Sequence, residues 1–189
     1  MKLLLAFAAC LIVNSASAAT IQFNLIGTGG TGLLRTNEPT PPATGGSGGE
    51  ILSGITYDDV GLSLRIIVGW GSSQGFTDLS SASNNSHLHG PTASNNGNNG
   101  TADWRQTASV LFNLPRSSNL ATGGQIDQSF TLTPAQQADL YNGKYYINVH
   151  TANNTGGEIN GFLTIVPEPS AGLLGLAAIG MLGLRRRRA

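Results

Sequence analysis

The chain's three histidines fall in two short segments: His87 and His89 in SHLHGP, and His150 in INVHTANNTGGEINGF. Side chains two apart on a strand share a face, so His87 and His89 project together while Leu88 points into a core. The same alternation turns Tyr145, Ile147 and Val149 inward and puts Tyr146, Asn148 and His150 on the other face. In the next apolar stretch it sets Ile159, Leu163 and Ile165 against Glu158, Asn160 and Phe162. A hairpin closing over ANNTGG brings His150 opposite Glu158 and Asn148 opposite Asn160. The chemistry this allows is metal ligation, by His87, His89 and His150, with Glu158 as fourth ligand or as a partner to a ligand. Three imidazoles suit zinc or copper, and catalysis would require an open coordination position. The alternative is a structural set of histidines that hydrogen-bond loop backbone where Gly90-Pro91 and Gly156-Gly157 turn the chain. Spacing alone does not place His150 beside the other two.

Two other motifs match catalytic or cofactor patterns and fail on context. Gly27, Gly29 and Gly32 fit a G-x-G-x-x-G phosphate loop with Glu50 downstream, but that motif needs a helix directly after it. Pro39, Pro41 and Pro42 leave no room for one. Gly71-Ser72-Ser73-Gln74-Gly75 fits a nucleophile elbow, with Asp139 and His150 following in order. The elbow needs a strand, a sharp turn and a helix, and FTDLSSASNNS is not helical. Both segments read as loops, and no reaction is expected of the chain.

The elements that must position the histidines have period two. Strands are expected over Thr20–Gly27, Glu50–Tyr57, Gly61–Trp70, Ala108–Leu114, Gln125–Leu132, Lys144–Thr151 and Glu158–Val166. Thr133-Pro134-Ala135-Gln136 combines an N-cap, a first-turn proline and a capping-box glutamine, so a two-turn helix is expected over Ala135–Tyr141, stopped by Asn142-Gly143. Long loops are expected at Gly27–Gly49 and Gly71–Asn85, with ASNNGNNGTAD as a third, mobile one. The fold class is all-β: an antiparallel β-sandwich with one short helix before the last hairpin.

The ends of the chain read differently from its middle. Lys2, the apolar run Leu3–Val13 and the small residues Ala16-Ser17-Ala18 read as a secretory signal helix over residues 1–18. Lipoprotein processing at Cys10 is the rival, set back by Phe7 where an aliphatic residue is wanted. Cys10 is the only cysteine, so the domain over 19–165 has no disulfide to support it. Between Asn24 and Ile165 five basic residues face nine acidic ones, a net charge of −4, which leaves no basic face for nucleic acid. The tail, 166–189, carries the remaining arginines. Ala171–Leu184 is uncharged and as a helix spans roughly 21 Å, short of a ~30 Å hydrocarbon core unless its flanks extend the reach. Arg185, Arg186, Arg187 and Arg188 then hold the cytoplasmic side of a C-terminal membrane helix.

Val166-Pro167-Glu168-Pro169, an apolar helix and an arginine cluster, in that order, resemble the PEP-CTERM sorting signal. The resemblance implies a Gram-negative bacterium and an exosortase-type membrane processing enzyme as partner. It also implies transient anchoring in the inner membrane, removal of the tail, and a final place at the cell surface or in the extracellular polysaccharide. SHLHGP, LTPAQQADLYNGKYYINVHT and GGEINGFL together are similar to the CHRD domain, first described in chordin. That resemblance runs from about Thr20 to Ile165 and marks His87, His89, Gly90, Asn148, His150, Thr151, Gly157, Glu158 and Gly161 as family positions. Asn160 and Phe162 stand where the family often has arginine and glutamine. An extracellular all-β module is implied, with no reaction attached. The function expected on these grounds is a non-catalytic surface or matrix protein that binds polysaccharide or another surface protein. A zinc or copper protein, with redox activity among its options, is the alternative.

Overall fold

In the computed structural model the residues described are 19–28, 30–35, 45–93, 106–116, 118–119 and 122–167. The signal segment, the asparagine-rich stretch 94–105 and the tail from Glu168 onward, with Pro169 and Arg185 to Arg188, lie outside them. Among the described residues no helix is long and apolar enough to cross a membrane.

Among the described residues eleven strands and one α-helix form the domain. In chain order they are β1 (Thr20–Gly27), β2 (Gly30–Thr31), β3 (Leu34–Arg35), β4 (Gly48–Asp58), β5 (Ser63–Trp70), β6 (Ser83–His89) and β7 (Val110–Asn113). After these come β8 (Ser118–Asn119), β9 (Gly124–Thr131), α1 (Pro134–Tyr141), β10 (Tyr146–Thr151) and β11 (Ile159–Ile165). All strand pairings are antiparallel, and the path runs β7-β6-β10-β11-β1-β4-β5-β9-β8, with β2 on β1 and β3 on β11. The all-β expectation holds. The two separate sheets of a sandwich do not appear; one continuous curled sheet takes their place. The reason lies in β1, which belongs to both halves: its first residues pair with β4 (Ile21↔Tyr57) and its last with β11 (Leu25↔Leu163). Phe23 is the hinge of this arrangement, opposite Ile55 on one side and Ile165 on the other.

Curling brings the two ends of the path face to face. Phe112 of β7 and Phe130 of β9 stack with ring centroids 4.6 Å apart and planes at 18°. Inside lie Phe23, Leu25, Ile55, Tyr57, Leu64, Ile66, Trp70, Leu88, Tyr145 and Ile147, each fully buried. At ~25 cal/mol per Å² of apolar surface, such a core supports the fold without covalent cross-links.

The helix follows its sequence signals. Thr133 Oγ1 accepts the Gln136 N–H at 3.3 Å, and Gln136 Oε1 accepts the Thr133 N–H at 2.8 Å. Both dismissed motifs have other structures. Gly27 and Gly30 pair across the β1–β2 turn, and the Glu50 carboxylate accepts the Leu25 N–H. Ser72–Gln74 is a single 3-10 turn, and Asp139 pairs with Lys144 at 2.8 Å. The long loops are shorter than expected, because β2 and β3 occupy the first and β6 already begins at Ser83 within the second.

The stack between Phe112 and Phe130 is expected to carry a coupling energy of about 0.5–1.5 kcal/mol beyond buried area. A double-mutant cycle with Phe112→Leu and Phe130→Leu, read by urea unfolding, checks it; a coupling near zero means that the curl closes without the ring pair.

Candidate metal centre

β6 and β10 pair with Tyr146↔His89, Asn148↔His87 and His150↔Asn85. This register puts all three histidines on one face of two neighbouring strands, His150 being the diagonal neighbour of His87. Leu88, Ile147 and Val149 alternate to the core face, where each is fully buried. The ring centroids lie 5.3 Å apart for His87 and His89, 4.9 Å for His87 and His150, and 6.0 Å for His89 and His150. One nitrogen from each ring can be chosen so that all three lie within 4.8 Å of one another.

Backbone carbonyls orient two of the rings. His150 Nδ1–H donates to the Thr155 carbonyl and His89 Nδ1–H to the Ala108 carbonyl, both at 2.8 Å. A carbonyl only accepts, so these bonds fix the tautomers and leave both Nε2 lone pairs free to ligate. His150 Nε2 lies 3.1 Å from His87 Nδ1. Without a metal, His87 Nδ1–H donates to that lone pair. A metal held here would require the His87 proton on Nε2 instead, which would leave His87 Nδ1 and His150 Nε2 as ligand atoms. Metal–nitrogen bonds of about 2.0–2.1 Å in a tetrahedron separate ligand nitrogens by roughly 3.3 Å, so this pair is already at chelate spacing. His89 Nε2 is shut off from solvent and has no hydrogen-bond partner among the described residues. An unpaired buried acceptor costs about 1–3 kcal/mol, which a bound cation would remove.

Tyr146 braces His89. Its ring stacks on the imidazole at 4.9 Å and 10°, and its hydroxyl accepts the Ala108 N–H at 3.3 Å. Ala108 is thus gripped through both its N–H and its carbonyl. On the other side, Asn148 Nδ2 donates to the Gly156 carbonyl at 3.0 Å and holds the turn that presents Thr155 to His150. Gly157 in that turn has φ +126°, and a Cβ there would lie 2.1 Å from Asn148 Oδ1, so only glycine fits. Gly90 plays the same part after His89: its φ is +145°, and a Cβ would meet Tyr145 Cδ1 at 2.2 Å.

Glu158 is not in the cluster. The hairpin register is as the alternation predicts, with Asn148↔Asn160 and Val149↔Ile159, but the bend at Gly157 turns the Glu158 side chain to the face of Thr151. There the fully buried carboxylate accepts from five donors: Ser80 N (2.6 Å), Gly46 N (3.1 Å), Ser80 Oγ (2.6 Å), Thr151 Oγ1 (2.8 Å) and Asn154 Nδ2 (3.0 Å). Its lone pairs are committed to joining three loops. Burial pushes its pKa up, and the hydrogen bonds from Ser80, Thr151 and Gly46 outweigh burial and bring it below the usual value. Of the other residues singled out from sequence, Val166 donates its N–H to the Gln22 carbonyl at 2.9 Å and Pro167 follows it. The sequence reading put Tyr146 on the histidine face without giving it a role, and it assigned no role to Ala108 or Thr155. Of these, Tyr146 alone had a visible signal, two residues before Asn148 on the same face.

Burial lowers the pKa of all three histidines. His87 falls to about 4, through burial and then through the nearby His150 and His89. His89 and His150 are lowered by burial, against the pull of their carbonyl partners. The rings are therefore neutral at pH 7, which is the ligating form.

A family model described as the CHRD domain matches residues 31–163. Neither a curated protein nor a solved structure matches the chain.

Two outcomes follow. The histidines have folded pKa values below their usual 6.5, so the unfolded chain binds more protons, and their contribution to stability, present above about pH 6.5, is lost as the pH falls toward 4. The urea midpoint of the metal-free protein should be lower at pH 5 than at pH 7.5, and less so in His87→Gln; a midpoint that rises on acidification contradicts this. Glu158→Ala should cost at least about 3 kcal/mol in the same measurement, because it leaves several buried donors unpaired. A loss below about 1 kcal/mol would show that water replaces the carboxylate.

Proposed function

The chain belongs to the CHRD domain family, and from that premise we propose that it is an exported, non-catalytic surface or matrix module that holds one divalent transition-metal ion between His87, His89 and His150. The observation that carries the reading is the convergence of three neutral imidazoles, with ligand nitrogens within 4.8 Å and two of the rings locked by carbonyls. The donor set is all nitrogen, which suits zinc or copper and disfavours calcium or magnesium. His87, His89 and His150 hold the ion; Ala108, Thr155 and Tyr146 orient the rings. Glu158 holds the loops behind the site together.

Export and sorting belong to the same proposal. The signal segment 1–18 directs the chain out of the cytoplasm. The PEP-CTERM-like tail, 166–189, anchors it in the inner membrane until an exosortase-type enzyme cuts near Pro167-Glu168-Pro169. Polysaccharide or another surface protein is then the partner.

Tag-free protein exposed to zinc or copper and then dialysed should retain close to one equivalent by elemental analysis. Loaded at 100 times its dissociation constant, the metal should add about 2.7 kcal/mol to unfolding stability. His87→Ala, His89→Ala and His150→Ala should each lower affinity at least tenfold with secondary structure intact. Retention of less than about a tenth of an equivalent would sink the metal reading and leave the surface-module reading alone.

A further inference from the structure

The metal reading leaves one side of the ion to be filled, and the surroundings of the cluster say by what. His89 lies at the buried end, with its Nε2 shut off from solvent. His87 and His150 line an open hollow of about 340 Å³, together with Asn84, Asn85 and Thr155. An ion held by the three rings would be open to a ligand from this hollow. Asn84 and Asn85 also wall a second hollow of about 380 Å³, which runs on past Asn113 to Arg116 over Leu114 and Pro115. Asn84 and Asn85 are common to both, and the pair of hollows, called the trench from here on, begins at the histidines.

The trench is built of donors. Among the described residues no aspartate or glutamate lines either part, in a domain where acids outnumber bases. Asn84, Asn85 and Asn113 are exposed. The Asn85 Oδ1 already accepts the Ser86 N–H at 3.0 Å, so what that amide offers outward is its NH2. Arg116 spends one N–H on the Ser83 carbonyl and has the rest of its guanidinium for a ligand. Pro115 adds an exposed apolar face to the wall, while Leu114 beneath it belongs to the core.

We infer that this trench binds a uronate sugar unit, whose carboxylate completes the metal's coordination and whose hydroxyls accept from Asn84, Asn85, Asn113 and Arg116. The inference rests on the metal reading. A carboxylate satisfies the open position of a cation held by three neutral ligands, and the amides and the arginine select for hydroxyls beyond it.

The test uses the full chain loaded with cobalt(II), whose visible bands report its coordination, titrated with galacturonate, acetate and galactose. Galacturonate should shift the bands and bind at least about tenfold more tightly than acetate, the worth of one or two hydrogen bonds, and galactose should shift nothing. Asn113→Asp and Arg116→Gln should each weaken galacturonate about five- to tenfold while leaving acetate binding and cobalt stoichiometry unchanged. Equal affinity for acetate and galacturonate, or variants without effect on galacturonate, would overturn the trench and leave only a solvent-open metal. A cobalt-loaded protein indifferent to galacturonate overturns the inference alone, whereas failure to take up cobalt overturns the metal reading and this inference together.

Discussion

The pairing of β6 with β10 is the constraint on which the rest depends. Leu88 on one strand and Ile147 and Val149 on the other are fully buried, so the hydrophobic core fixes which face of each strand turns inward. The opposite face is then decided as well, and it carries His87, His89, Tyr146, Asn148 and His150. A slip of one residue would send Leu88 to the outer face and both histidines into the core, so the energy that holds the fold also holds the cluster. Apolar burial is non-directional; here the period of the strand turns it into a placement of imidazoles.

Around that pairing, polar groups do what packing cannot. Carbonyls of Ala108 and Thr155 select the tautomers of His89 and His150. Glu158 collects donors from Gly46, Ser80, Thr151 and Asn154 and so ties loops that are distant in sequence to the turn carrying Thr155. A buried carboxylate is tolerated there because hydrogen bonds from neutral donors replace its hydration. The histidines have less compensation: one carbonyl holds each of two rings, but brought together and desolvated the three stay neutral, and His89 Nε2 has no hydrogen-bond partner among the described residues. Glu158 is thus a closed polar site and the histidine cluster an open one.

How far the sequence led can be judged from particular residues. The alternation in INVHT and EINGF predicted the Asn148↔Asn160 pairing, because the hairpin is local and its two faces differ in polarity. The capping box at Thr133 was legible for the same reason: its bonds span three residues. The H-x-H spacing gave a shared face for His87 and His89 but no distance to His150, which depends on pairing between strands some sixty residues apart. Glu158 was misplaced as a ligand because the alternation of β11 was extended back to it, although it sits in the bend before the strand begins at Ile159, and because its donors at Gly46 and Ser80 are far off in the chain. The single curled sheet was illegible for a related reason. Nothing in TIQFNLIG says that β1 pairs on both edges and so joins what would otherwise be two sheets.

X-ray absorption at the zinc or copper edge of the metal-loaded protein tests the central claim most directly. The account predicts three imidazole nitrogens at about 2.0–2.1 Å, with one further light ligand from solvent or an added anion. Two or fewer imidazoles, or a first shell dominated by carboxylate oxygen, would contradict it and place the metal away from the face that β6 and β10 share.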